Sequence, residues 1–127
     1  MRIVAGPDGN LWFTEGVSNS DRVGRISPAG HIDQYDVRTA LVDLWGLTAG
    51  PDGNVWYTRP GGNVIGRVTP RGVLTETPLT LKATAFTNGP TDVTTGPDGA
   101  LWFMELTEGR IGRATLSGHV TEYDLPR

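Results

Sequence analysis

The chain has no cysteine at all, so disulfides, thiolate metal sites and a cysteine nucleophile are excluded. It has two histidines, His31 and His119, which leaves little material for imidazole chemistry. No apolar run approaches the roughly 20 residues of a membrane-spanning helix, and no membrane association is expected. The opening residues, Met1 to Pro7, are too short in their apolar part to form a signal peptide. The expectation is a cytoplasmic chain, or one trimmed at its start. Positive charge is not in excess: 11 Lys and Arg stand against 14 Asp and Glu, for a net charge of −3. A nucleic-acid partner would want a basic face, so none is expected. Helical periodicity is missing too, which argues against leucine-rich, tetratricopeptide and ankyrin repeats. There is also no Gly-x-Ser-x-Gly elbow, and no Lys-Ser/Thr pair follows a glycine loop.

Glycine and proline, in contrast, are abundant, at 18 and 9 of 127 residues. They recur at fixed places. Gly6-Pro7-Asp8-Gly9-Asn10-Leu11-Trp12-Phe13 returns as a segment starting at Gly50 and again as one starting at Gly96, at intervals of 44 and 46 residues. Val23-Gly24-Arg25-Ile26 returns at Ile65 to Val68 and Ile111 to Ala114. A third motif, beginning at Gly30, Gly72 and Gly118, completes each copy.

Each copy reads as four short strands. The first covers Ile3 to Ala5, Leu47 to Ala49 or Val93 to Thr95. Pro-Asp-Gly makes a tight turn, because proline presets φ and Asp-Gly accepts hairpin geometry. In the second strand, alternation puts Leu11 and Phe13 on one face and Trp12 on the other. Both faces are apolar, so the strand belongs to a sheet packed on both sides. The third strand carries Gly-Arg. The fourth, with Ile32 and Gln34 alternating against Asp33 and Tyr35, is the wetter outer edge. A four-stranded antiparallel unit repeated at this period predicts an all-β fold, a β-propeller with three blades in this chain: 1–36, 37–79 and 80–127. A β-trefoil also has three units of this length, but it does not require both faces of one strand to be apolar. Arg25, Arg67 and Arg113 recur in every copy, as a structural residue binding a loop or carboxylate would.

These motifs (Gly-Pro-Asp-Gly-Asn-Leu-Trp-Phe-Thr-Glu, then Ile-Gly-Arg, then Gly-x-Val-Thr-Glu-Tyr) resemble the blades of the streptogramin B lyases, the virginiamycin B lyase family, along the whole chain. The resemblance implies a seven-bladed propeller that linearises a cyclic antibiotic by magnesium-dependent elimination. It places catalytic histidines just before the first strand of a blade, in a Pro-His-x-Ile pattern. This chain has Leu44-Trp45-Gly46-Leu47 and Pro90-Thr91-Asp92-Val93 there instead. His31 and His119 match each other on the outer strand. No catalytic residue is therefore assigned, and lyase activity is expected to be absent or poor. The resemblance also implies a glutamate after the second strand, matched by Glu15 and Glu105, with Arg59 between them. With Asp43 and Asp92, these could ring the mouth and hold Mg²⁺, which favours carboxylate oxygens.

The least repetitive segments, 37–46 and 80–92, are expected at the propeller mouth. Loops on a rigid scaffold carry function, so Asp43, Trp45, Phe86, Thr91 and Asp92 are the candidate ligand contacts. Three blades are too few to close a ring. They leave two blade faces uncovered, each an apolar patch of several hundred Å². The expectation is a homo-oligomer: a dimer of six blades, or as second choice a trimer of nine. The alternative is a fragment of a longer propeller. On either account the chain reads as a lyase-like propeller segment acting as a binding or structural scaffold, with a magnesium-dependent streptogramin B lyase as the rival reading.

Overall fold

The three Gly-Pro-Asp-Gly segments fold as their composition demands. The closing glycines Gly9, Gly53 and Gly99 have φ of 81°, 79° and 78°, in the left-handed region where a side chain is strained. The amides of Gly6, Gly50 and Gly96 donate to the carbonyls of Asn10, Asn54 and Ala100, each at 2.8 Å. Each turn thus closes a three-residue hairpin loop ending in a left-handed glycine. The computed structural model describes residues 2–17, 20–37, 44–59, 63–79, 89–105 and 109–126.

Twelve strands are seen among these residues. The first blade contains β1 (Ile3–Ala5), β2 (Leu11–Val17), β3 (Ser20–Ile26) and β4 (Ile32–Asp36). The second contains β5 (Leu47–Ala49), β6 (Val55–Arg59), β7 (Val64–Val68) and β8 (Leu74–Pro78). The third contains β9 (Val93–Thr95), β10 (Leu101–Glu105), β11 (Arg110–Ala114) and β12 (Val120–Asp124). Each sheet takes its strands in sequence order, all antiparallel. The short strand β5 lies between β1 and β9 and adjoins both, and the three form the inner wall. β4, β8 and β12 are the opposite edges of their sheets, and β4 alternates exposed and half-buried residues, as its alternating sequence requires.

The blades pack face to face. Val4, Trp12, Val23 and Tyr35 of the first blade meet Leu47, Val55, Tyr57, Val68 and Leu74 of the second. Trp56, Ile65 and Leu79 of the second meet Val93, Leu101, Phe103 and Ala114 of the third. Every residue of β6 is buried, because the middle blade is covered on both sides. Burying a large apolar side chain contributes roughly 1.5–3 kcal/mol, so the two joints hold the arc together. The outer faces are open: Ile3 is 63%, Leu11 46% and Met104 42% exposed.

The glycine of the Gly-Arg motif has a steric reason. Pairing sets Phe13 opposite Gly24, Tyr57 opposite Gly66 and Phe103 opposite Gly112. Each ring occupies the space beside its glycine, and a Cβ there would fall 2.2, 1.9 or 2.1 Å from the ring's Cζ.

A three-membered tether recurs in each blade. Trp12, Trp56 and Trp102 donate their indole N–H to Asp8, Asp52 and Asp98 at 2.9, 3.1 and 3.0 Å. Arg25, Arg67 and Arg113 pair with the same three carboxylates at 3.4, 3.9 and 2.8 Å. The guanidinium carbons lie 5.5, 5.6 and 5.9 Å from the indole centroids, within cation–π range. Arg25 also donates to Asp33 at 2.8 Å and to the Pro70 carbonyl of the second blade at 2.7 Å. Arg25 thus binds both a carboxylate and a loop of the neighbouring blade.

The tethers imply acid sensitivity. Hydrogen bonds from Trp102, then Arg113, hold the Asp98 carboxyl well below the usual carboxylate range. At Asp8 burial acts to raise the pKa, but hydrogen bonds from Trp12 and Asn10 outweigh it, and the net shift is downward. Asp52 behaves alike, with Asn54 and Trp56 as donors. A carboxyl depressed in the folded state stabilises the fold above its unfolded pKa, near 4. That contribution is lost as pH falls from there through the folded value. The melting temperature, followed by circular dichroism, should therefore vary little from pH 7 to 5 through these groups and fall below about pH 4. Asp8→Asn, Asp52→Asn and Asp98→Asn together should flatten that acid limb; an unchanged limb would show the tethers are not its cause.

Candidate functional site at the inner mouth

The residues just before β1, β5 and β9 lie at one end of the inner wall. Backbone pairing continues past the strands there: the Thr14 amide donates to the Arg2 carbonyl at 2.9 Å, Thr58 to Gly46 at 3.0 Å and Met104 to Asp92 at 3.1 Å. The positions Arg2, Gly46 and Asp92 are therefore equivalent, and Trp45 is equivalent to Thr91.

Trp45 is held by its amide, which donates to the Thr58 carbonyl at 3.0 Å, while the residue is 48% exposed. An anchored backbone carrying a large exposed indole suits ligand contact. Gly46 packs so closely on the next blade that a Cβ would stand 2.6 Å from the Thr91 carbonyl oxygen. That same carbonyl accepts a short hydrogen bond from the Thr58 hydroxyl. The Thr91 hydroxyl donates to the Met104 carbonyl at 3.1 Å. Asp92 is exposed and faces Arg2 of the first blade at 3.6 Å. The segments carrying Trp45, Thr91 and Asp92 thus meet, with Arg2 added. Arg2 was not among the residues expected from sequence, and its only signal there was its place one residue before β1. Asp43 and Phe86 fall outside the described residues.

The glutamates are placed differently. Glu15 lies on the uncovered face of the first blade, and Gln34 on the outermost strand donates to its Oε2 at 2.7 Å. Its carboxylate is thereby drawn toward the rim. Glu105 is 1% exposed; by alternation it shares the face of Leu101 and Phe103, which packs against the second blade. The equivalent Arg59 forms a two-pronged pair with Glu76 at 2.9 and 3.0 Å, and Tyr57 donates its hydroxyl to the same carboxylate at 2.9 Å. Burial, then the adjacent Glu76 charge, pushes the Tyr57 phenol well above its ordinary pKa. Among the described residues no three His, Asp or Glu side chains gather to hold a metal ion. Glu15 and Glu105 stand on separate sheets in different surroundings, and Asp43, expected beside them, lies outside the described residues.

His31 and His119 lie just before β4 and β12, both exposed, with His31 Nε2 3.3 Å from Asp33. They sit at the outer edges of their sheets, across β2–β3 and β10–β11 from the inner wall. Among the described residues no helix is long and apolar enough to cross a membrane.

Three four-stranded sheets packed face to face with their first strands innermost define a β-propeller segment. The chain belongs to the virginiamycin B lyase family, whose profile it matches over residues 1–127. It superposes on virginiamycin B lyase from Staphylococcus aureus with a TM-score of 0.88 and 39% identity, over 98% of this chain and 41% of that one. The figures are the same for a catalytically inactive form of that enzyme, with a histidine replaced by alanine, crystallised with quinupristin. A streptogramin B lyase structure gives a TM-score of 0.87 at 34% identity, over 99% of this chain and 40% of that one. The chain thus spans about two-fifths of the length of these relatives. No curated protein sequence matches it significantly.

Proposed function

We propose that these blades act as a binding and scaffolding segment of a streptogramin-lyase-type ring, offering the mouth around Trp45 to a cyclic peptide ester without performing elimination themselves. The carrying observation is the composition of the mouth. Trp45-Gly46 and Thr91-Asp92 stand there, and the two histidines lie at the outer sheet edges. Elimination needs a base at the acidic carbon and assistance to the departing carboxylate. A carboxylate with an ordinary pKa near 4 is a weak base at neutral pH, and neither Trp nor Thr replaces an imidazole.

Quinupristin, the compound crystallised with the inactive staphylococcal enzyme, is the natural probe. Elimination moves one proton and breaks one C–O bond within the molecule, so the mass is unchanged. Ring opening must be read from chromatographic retention and fragmentation. The expected result is quinupristin recovered intact after prolonged incubation with Mg²⁺, together with tryptophan fluorescence quenching that Trp45→Ala abolishes. Ring opening above the buffer rate would sink the proposal. The 39% identity to a lyase favours a second reading, in which further blades outside these residues supply the histidine and the ion. EDTA-sensitive ring opening by a longer chain that carries these blades together with further ones, with none from these residues alone, would support it.

A further inference from the structure

We infer that Thr58 is the positioning residue of the mouth: its hydroxyl is a relay that fixes Trp45-Gly46 of the second blade against Thr91-Asp92 of the third. The inference rests on the mouth reading proposed above and adds the group that sets the spacing between its two sides.

Thr58 is 0% exposed and lies near the end of β6. Its hydroxyl makes two hydrogen bonds of opposite sense. The Gly46 amide donates to Thr58 Oγ1 at 2.7 Å. The hydroxyl in turn donates to the Thr91 carbonyl across the joint, in a short contact. An amide can only donate and a carbonyl can only accept, while a hydroxyl does both. The direction of the relay is therefore fixed, and each bond polarises the other. The site also demands the glycine at 46. A Cβ there would lie 2.8 Å from Thr58 Oγ1 and 3.0 Å from the Val93 nitrogen, so a side chain would force the two blades apart.

The repeat separates what is general here from what is particular. Thr14, Thr58 and Met104 share one place in their blades. Thr14 is 1% exposed, and its Oγ1 accepts from the Arg2 amide at 2.8 Å, the same bond that Thr58 accepts from Gly46. Met104 has no hydroxyl. In the third blade the entry segment is held from its own side, by the Thr91 amide and hydroxyl, which donate to the Met104 carbonyl at 2.8 and 3.1 Å. The Thr91 carbonyl is the group that reaches the second blade, and Thr58 is what it meets.

Trp45 stands one residue from the relay. The Trp45 amide is bonded to the Thr58 carbonyl, and the Thr58 amide to the Gly46 carbonyl. The hydroxyl pins the same segment a third time and ties it to the far side. A ligand touching the indole and Thr91-Asp92 together meets two blades at once. Binding groups must be held to within about 0.5 Å, and at this joint the spacing is set at Thr58.

A second hydroxyl bond crosses the same joint away from the mouth: Thr95 donates to the Ala49 carbonyl at 2.7 Å, at the other ends of β9 and β5. It stitches the same two blades without touching the mouth, so it separates positioning from stability.

Quinupristin titrations followed by tryptophan fluorescence compare wild type, Thr58→Val, Thr58→Ser and Thr95→Val. Valine keeps the shape and strand preference of threonine and drops the hydroxyl. The Kd should rise about tenfold in Thr58→Val, the size of one lost hydrogen bond, and return to within about threefold of wild type in Thr58→Ser. Thr95→Val should melt earlier and bind as wild type does. If valine at 58 does not fold, Thr58→Cys, with its weak S–H donor, takes its place. Wild-type affinity in Thr58→Val, or an equal loss in Thr95→Val, would overturn the inference. If quinupristin does not quench the wild type, the mouth reading fails by itself, and amide NMR of the unliganded protein judges the relay. In Thr58→Val the Gly46 amide should shift and exchange faster with solvent, and the Thr91 and Asp92 amides should shift with it. Thr91 and Asp92 amides unmoved by that change would refute the relay.

Discussion

Replacing Glu76 with alanine should destabilise the chain by about 3 kcal/mol, far more than a surface substitution. Glu76 receives three hydrogen bonds, two from Arg59 and one from Tyr57. The Arg59 side chain is 9% exposed, so removing the carboxylate strands a cation that water cannot easily reach. Glu76 itself is 29% exposed, which keeps the cost at the low end for a broken buried pair. Tyr57 is fully buried in the first joint, and losing its acceptor adds an unsatisfied hydroxyl. Glu76→Gln keeps an acceptor and should recover part of the loss. Chemical denaturation of the three proteins checks the order wild type, Gln, Ala. An alanine variant within 1 kcal/mol of wild type would mean that Arg59 finds solvent or another partner.

Gly66→Ala should be comparably damaging, at about 3 kcal/mol, the upper part of the range for overpacked cores. The added methyl would sit 1.9 Å from Cζ and 2.3 Å from the hydroxyl of Tyr57. The ring cannot yield, because Tyr57 is covered by the first blade on one side and fixed to Glu76 at its tip. A double-mutant cycle separates this clash from a general cost of alanine in β7. In a Tyr57→Leu background the same glycine change should cost less than about 1 kcal/mol. An equal cost in both backgrounds would point to the backbone and away from the ring. The equivalent Gly24→Ala should be milder, because Phe13 lies on an open face and can shift.

The fold was legible because its determinants are local and repeated. Pro-Asp-Gly specifies a turn within a few residues, and alternation over Leu11 to Phe13 specifies a strand, so β1, β5 and β9 lie where the motifs placed them. The roles of side chains at equivalent positions were not legible. Glu15, Arg59 and Glu105 share one place in the repeat, yet one is drawn to Gln34, one is paired with Glu76 and one is buried. Their partners lie on other strands, and repeat equivalence fixes position without fixing direction. The turn aspartates were read as turn formers only. Their joint recurrence with Trp and Arg at constant offsets was the signal that the three form a tether. The mouth was half legible: equivalence located Trp45 and Thr91, but the approach of Arg2 to Asp92 spans two blades and leaves no mark in either motif.

The consecutive pairing of strands within each sheet bears on how the chain reaches this state. Every ladder joins neighbours in sequence, so loop-closure entropy stays small and each blade's hydrogen bonding can form early. The tryptophan faces are covered only when the next blade arrives. Folding on the ribosome would then proceed from the first blade onward, each finished sheet serving as the surface on which its successor condenses.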